Sequence, residues 1–127
     1  MNWRILLVDD DPYMRALITA YLTDYATTVV EFEAAEPALA ELLANPYDLL
    51  ITDLNMPGAR CGRWLVNQAR EHLADLPIIV ITGDPLERRE LRAADAIILK
   101  PFHPDELLGE IWDLLPERGT GKHRVRS

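Results

Sequence analysis

The chain has a single cysteine, Cys61. No disulfide can close within it, and a reducing cytoplasm is the simplest compartment. It has no apolar run of about 18 residues, the length a membrane-spanning helix needs, so no membrane association is expected. The opening residues Met1-Asn2-Trp3-Arg4-Ile5 run straight into a strand pattern, so no signal peptide is expected. No repeat, linker or low-complexity segment interrupts residues 1–115. Positive charge is scarce: 13 Lys and Arg stand against 21 Asp and Glu, a net of −8. Residues 116–127 carry Arg118, Lys122, Arg124 and Arg126 against Glu117, which is +3, so with −8 in total the remainder carries −11. An acidic body disfavours direct nucleic-acid binding and suits a cation. The basic end reads as a solvated, disordered tail over 116–127.

What is present is enough for one ordinary domain: 127 residues, 49% hydrophobic. Ile5-Leu6-Leu7-Val8 is a continuous apolar run bounded by Asp9, Asp10 and Asp11, the pattern of a strand buried on both faces. Asp11-Pro12 opens a helix, with Asp11 as N-cap, Pro12 in the first turn, and Leu17, Ile18, Tyr21 and Leu22 at helical spacing. Residues 27–32 are rich in β-branched side chains and predict a second strand. A short amphipathic helix is predicted over 36–44, a third strand over 49–52, and a helix over 63–73 with Leu65, Val66, Ala69 and Leu73 on one side. Strands are predicted over 78–81 and 97–99, with a short charged helix over 86–93 between them. The last helix, over 105–115, is stopped by Pro116. Strand and helix thus alternate five times. Right-handed crossovers then place helices on both faces of one parallel sheet.

The polar residues at the strand ends carry the chemistry. The run Leu49-Leu50-Ile51-Thr52 ends abruptly in Asp53, at the carboxyl edge of a sheet, where α/β proteins bind ligands. Asp9-Asp10, Thr82, Lys100 and Pro101 also fall at ends of apolar runs, far apart in sequence but on that same edge. Three carboxylates together raise one another's pKa and repel. A hard divalent cation removes that penalty, and Mg²⁺ takes oxygen ligands while keeping positions open for a phosphate oxygen. Lys100 supplies a mobile positive charge, Thr82 a hydroxyl donor, and Gly83 leaves room for a phosphoryl group. This is the inventory for moving a phosphoryl group onto a carboxylate, which needs positioning and charge neutralisation more than covalent help. Asp53 is the candidate nucleophile.

Taken in order, Ile5-Leu6-Leu7-Val8-Asp9-Asp10-Asp11, Asp53-Leu54-Asn55-Met56-Pro57-Gly58, Ile81-Thr82-Gly83 and Leu99-Lys100-Pro101-Phe102 resemble the receiver domain of two-component response regulators, over residues 4–115. Any one segment is weak; the ordered set is specific. The resemblance implies a flavodoxin-like (βα)5 doubly wound sheet with strand order 2-1-3-4-5. It implies that Asp53 accepts a phosphoryl group from a histidine kinase or histidine phosphotransfer protein and then switches binding to a downstream protein target. It implies Mg²⁺ held by Asp10, Asp53 and the backbone carbonyl of Asn55, with Asp9 helping through water, and phosphoryl contacts from Thr82 and Lys100. The Lys100-Pro101 bond is cis in the family. A homodimer stands among the expected partners, and no enzymatic activity is expected beyond the domain's own phosphorylation and dephosphorylation.

Two departures stand out. The family often places an aromatic residue three positions before the lysine; here it is Ile97, which cannot make the same rotamer swing. Thr82 to Lys100 spans 18 positions, about four fewer than usual, or roughly one helical turn. The fourth helix, over 86–93, should therefore be short, and the surface it helps to form is not expected to signal in the usual way. Trp64 and Trp112 fall beside the apolar stripes of their helices and offer either a half-buried rim or a substitute contact surface. Asn55 and Asp84 lie two positions after Asp53 and Thr82, where the resemblance implies residues that tune loss of the phosphoryl group. Cys61 replaces a commonly acidic residue and reads as inert filling. His72, His103 and His123 are not arranged as metal ligands. Two other functions compete. An aspartate-based phosphohydrolase needs a second acid two residues after Asp53, where Asn55 stands. An unphosphorylated interaction module on the same fold is the other. No DNA-binding pattern follows residue 115, so the expected output is a protein contact.

Overall fold

A computed structural model describes residues 3–23, 25, 27–58, 60–84 and 91–115. Five strands form one parallel sheet: β1 (Arg4–Val8), β2 (Thr28–Phe32), β3 (Leu49–Asp53), β4 (Ile78–Thr82) and β5 (Ala96–Leu99), in the order β2-β1-β3-β4-β5. The helices among the described residues are α1 (Pro12–Thr23), α2 (Ala35–Ala44), α3 (Gly62–His72) and α4 (Pro104–Leu114). Every element predicted in these stretches is present, with bounds shifted by one residue. The short helix predicted over 86–93 lies mostly outside the described residues; its last part, Arg92-Ala93, forms a turn. The tail predicted over 116–127 also lies outside them. No helix among the described residues is long and apolar enough to cross a membrane.

Strands β3 and β4 are apolar up to the polar residues at their carboxyl ends. Every residue of β3 and β4 is buried, as strands covered on both faces must be. Alternation along each strand divides the core in two. Leu6, Val8, Leu50, Ile78 and Val80 pack with Ala38 and Leu42 of α2 and Leu65, Val66 and Ala69 of α3. Ile5, Leu7, Leu49, Ile51, Ile79, Ile81 and Ile98 pack with Ile18 and Leu22 of α1 and Leu107 and Ile111 of α4. Each fully buried Leu or Ile contributes about 1.5–3 kcal/mol, so the two layers anchor all four helices. At the edge, β2 is only partly covered, with Thr28 and Glu31 exposed.

Caps and turns follow local chemistry. The Asp11 carboxylate accepts from the Tyr13 N–H at 2.9 Å, capping α1 as its position before Pro12 predicts. His103 caps α4: its Nδ1 accepts from the Asp105 N–H at 3.1 Å, while Glu106 accepts from the His103 N–H at 3.0 Å. This is a capping box with histidine in the serine position. His103 is thus a structural residue, and Pro104 at the first helical position supports it. The Lys100-Pro101 bond is cis.

Trp64 and Trp112 sit at the rim. Trp64 is half-buried against the α2–α3 core layer, and the Arg60 guanidinium lies 5.1 Å from its ring centre. Trp112 is 40% exposed and meets buried Trp3 edge-on at 5.1 Å and Tyr25 at 6.0 Å. Ile97 is partly buried in the layer that holds Val80 and Leu91.

Candidate functional site

Parallel register brings the strand-end residues together. Val8 pairs with Thr52, Asp53 with Ile81, and Thr82 with Leu99. The next residue along each line is therefore a polar one: Asp9 beside Asp53, Thr82 beside Asp53's partner, Lys100 after Leu99. Backbone bonds continue the ladder past the strands, with the Lys100 N–H donating to the Thr82 carbonyl at 2.8 Å and the Leu54 N–H to the Ile81 carbonyl at 3.1 Å.

The carboxylates of Asp9, Asp10 and Asp53 converge, with one oxygen from each lying within 4.8 Å of the others. Asp9 and Asp53 are buried, at 1% and 7% exposure; Asp10 is exposed. Lys100 reaches over them, with Nζ 3.3 Å from Asp53 Oδ2 and 3.8 Å from Asp9 Oδ2. Like charges about 5 Å apart repel by roughly 3 kcal/mol per pair at an effective dielectric of about 20. Among the described residues, one lysine against three carboxylates leaves two negative charges uncompensated. Burial raises the Asp9 carboxyl above its ordinary 3.8; the Asp11 N–H opposes this, Asp53 and Asp10 add to it, and Lys100 opposes it.

The donor set consists of carboxylate oxygens, with no sulfur or imidazole. That chemistry fits a hard divalent cation such as Mg²⁺, and a 2+ charge matches the residual charge of the cluster. Asn55 is exposed beside it, its N–H donating to Asp53 Oδ1 at 3.3 Å. Across the site the buried Thr82 hydroxyl accepts from Asn55 Nδ2 at 3.4 Å and from the Asp84 N–H at 3.2 Å. The predicted positions Asp9, Asp10, Asp53, Thr82 and Lys100 thus lie on one sheet edge, with Asn55 between Asp53 and Thr82. His72 and Cys61 are not in the cluster; Cys61 precedes α3 as its N-cap residue and makes no capping hydrogen bond.

Sequence reasoning missed two supporting residues. A Cβ on Gly62 would lie 2.0 Å from the Asp53 carbonyl oxygen and 2.7 Å from Leu54 Cα. Glycine there lets α3 start directly against the backbone that carries Asp53. Arg15, half-buried on α1, donates from Nη1 to the main-chain carbonyl of Asp9 at 2.6 Å. Gly62 had a signal, a glycine opening a helix where Ala would serve better. Arg15 had none, because its partners are set by the packing of α1 on the sheet.

The family described as response regulator receiver domain matches residues 5–111. Among curated proteins, the chain is 36% identical over 125 residues to the sensor histidine kinase TmoS of Ectopseudomonas mendocina, covering 93% of this chain and 12% of that protein. It is 36% identical over 122 residues to the transcriptional regulatory protein AruR of Pseudomonas aeruginosa, covering 88% of this chain and 49% of that protein. The chain therefore spans half or less of the length of these relatives. Among solved structures, the response regulator TrrA of Thermotoga maritima, in complex with Mg²⁺ and BeF, superposes with a TM-score of 0.84 at 35% identity, covering 89% of this chain and 99% of that one. A chemotaxis response regulator of Vibrio cholerae superposes with a TM-score of 0.82 at 28% identity, covering 91% of this chain and 100% of that one.

Proposed function

This chain belongs to the response regulator receiver domain family of two-component systems, and from that premise we propose that it accepts a phosphoryl group on Asp53 and passes the signal on as a protein contact. The observation that carries the reading is the Asp53 carboxylate itself. It is buried at a sheet mouth, faced by Lys100 Nζ at 3.3 Å and flanked by two further carboxylates.

The residues divide the work as follows. An Asp53 carboxylate oxygen attacks phosphorus of a phosphohistidine on the kinase or phosphotransfer partner. The P–N bond breaks, the imidazole leaves with the electron pair and takes up a proton, and an acyl phosphate remains on Asp53. Lys100 turns from Asp53 Oδ2 to a phosphoryl oxygen, so its charge follows the charge that moves. The Thr82 hydroxyl, an acceptor from Asp84 and Asn55 in this state, donates its own proton to another phosphoryl oxygen. Asp10, Asp53 and the main-chain carbonyl of Asn55 would hold Mg²⁺, with the Asp9 carboxylate beside them; when bound, the ion would neutralise charge on the phosphoryl group. Asn55 in place of an acid two residues on supports a signalling receiver over a phosphohydrolase, which needs a proton donor for the leaving group. The cytoplasm, where kinase and nucleotide meet, is the proposed site of action.

The test is incubation with acetyl phosphate and Mg²⁺ followed by intact-mass measurement. A mass gain of about 80 Da, absent in Asp53→Asn and after removal of Mg²⁺, is the expected result. Rapid turnover of phosphomonoesters would instead indicate a hydrolase. Absence of both the adduct and Mg²⁺ binding would leave an unphosphorylated interaction module.

A further inference from the structure

We propose that Arg15 is a positioning residue for the metal-binding turn, holding the Asp9–Asp10 peptide in the orientation that Mg²⁺ binding requires; the inference rests on the Mg²⁺-dependent reading above. The Arg15 side chain is 17% exposed and sits on α1, behind the acidic cluster. Its Nη1 donates to the Asp9 carbonyl at 2.6 Å, and its Nε donates to Glu31 Oε1 on β2 at 3.2 Å. Glu31 Oε2 in turn accepts from the Thr19 hydroxyl at 2.7 Å, one turn along α1. The guanidinium is therefore aimed from both sides, by a strand and by its own helix. A planar fork held this way can fix a carbonyl in direction as well as in distance.

What it fixes is the peptide between Asp9 and Asp10. The Asp9 N–H donates to the Phe32 carbonyl at 3.1 Å, and Asp9 Oδ1 accepts from the Asp11 N–H at 2.9 Å. With its carbonyl on Arg15, every polar main-chain group of Asp9 is tied down. Asp10 follows immediately and is exposed, so its carboxylate takes its direction from that peptide. Lys100 cannot serve this purpose, because its contacts are to the carboxylate oxygens that the metal and the phosphoryl group take over.

Charge and position predict opposite signs here, which makes the proposal decidable. If Arg15 acted only as a nearby cation, removing it would strengthen the attraction of the cluster for a dication. If it positions the turn, removing it weakens binding. Titration calorimetry of Mg²⁺ into the full chain, at fixed ionic strength, compares the unsubstituted protein with Arg15→Ala and Arg15→Lys. The expected result is a Kd raised on the order of tenfold in Arg15→Ala, the low end of what partners behind a metal ligand contribute. Arg15→Lys keeps the charge but lacks the fork, so its Kd should rise as well. At saturating Mg²⁺ the rate of phosphorylation by acetyl phosphate should recover in both. Unchanged or tighter binding in Arg15→Ala, with unchanged binding in Arg15→Lys, overturns the proposal. Should Arg15→Ala fail to fold, Arg15→Lys decides alone. If the unsubstituted chain binds no Mg²⁺ at millimolar concentration, the metal reading itself fails and the proposal falls with it.

Discussion

At the scale of single residues, the site is built under tension between folding and function. Asp9 is buried and its carboxyl is raised above 3.8, chiefly by that burial. A carboxyl raised in the folded state binds more protons folded than unfolded, so its contribution to stability falls as pH rises from 3.8 through the folded value. Ionisation of Asp9 therefore opposes folding of the metal-free protein. Asp9→Asn, which removes the charge that burial disfavours, should raise the melting temperature of the metal-free protein at pH 7. The gain should shrink as the pH approaches 4; a gain that is constant with pH would contradict the assignment. Gly62 has the opposite character. Gly62→Ala puts a methyl group into the Asp53 carbonyl, so either α3 or the end of β3 must move. Urea denaturation should show a loss of about 3 kcal/mol, and the proposed phosphorylation of Asp53 should slow even where the protein remains folded.

At the scale of elements, the stretch before β5 depends on one side chain. Arg70, near the end of α3, donates to the carbonyls of Ala74 at 2.7 Å, Leu76 at 2.8 Å and Ala93 at 2.8 and 3.0 Å, and to Asp95 Oδ2 at 2.8 Å. Asp95 Oδ2 also accepts from the Ile78 N–H, and the Asp95 N–H donates to the Ile78 carbonyl, each at 2.8 Å. One guanidinium thus ties the end of α3, the start of β4 and the approach to β5 together. Arg70→Ala should cost about 2 kcal/mol, since it leaves partly buried carbonyls without a donor. Hydrogen exchange should quicken first in residues 91–95, and Arg70→Lys should restore only part, lacking the fork. Uniform exchange across the sheet would show that the clamp has no local role. The elements themselves were legible. β3 and β4 open on unbroken apolar runs, and α1 carries its cap and proline in plain view. The Arg70 clamp was not, because most of its acceptors are main-chain carbonyls, which carry no residue-type signal and lie up to 23 positions away.

At the scale of the whole molecule, the proposed metal binding is also a folding term. A ligand bound only by the native state stabilises it by mass action, by about 2.7 kcal/mol at 100 times its Kd. Thermal unfolding of the unsubstituted chain should therefore shift upward on addition of Mg²⁺ and return on chelation. Asp10→Asn should abolish most of the shift. Ca²⁺, larger and less demanding of octahedral geometry, gives a comparison of how closely the cluster is shaped to the smaller ion. An equal shift in Asp10→Asn would mean that the cation acts elsewhere.

Much of this protein could be read in one dimension. Apolar runs that stop at aspartate, threonine and lysine mark where strands reach a polar edge, because the drive to bury such a run is local to it. The alternation of strand and helix leaves a parallel sheet as the arrangement that satisfies the short connections. The tertiary structure decided what those local signals cannot hold. Register set Asp9 beside Asp53 and aligned Thr82 with Leu99, one step before Lys100. Helix packing decided that Arg15 would face the Asp9 carbonyl and that position 62 would have no room for a side chain. Contacts of this kind arise between segments that share no pattern with each other. They exist only once the two layers of the core have fixed the distances between them.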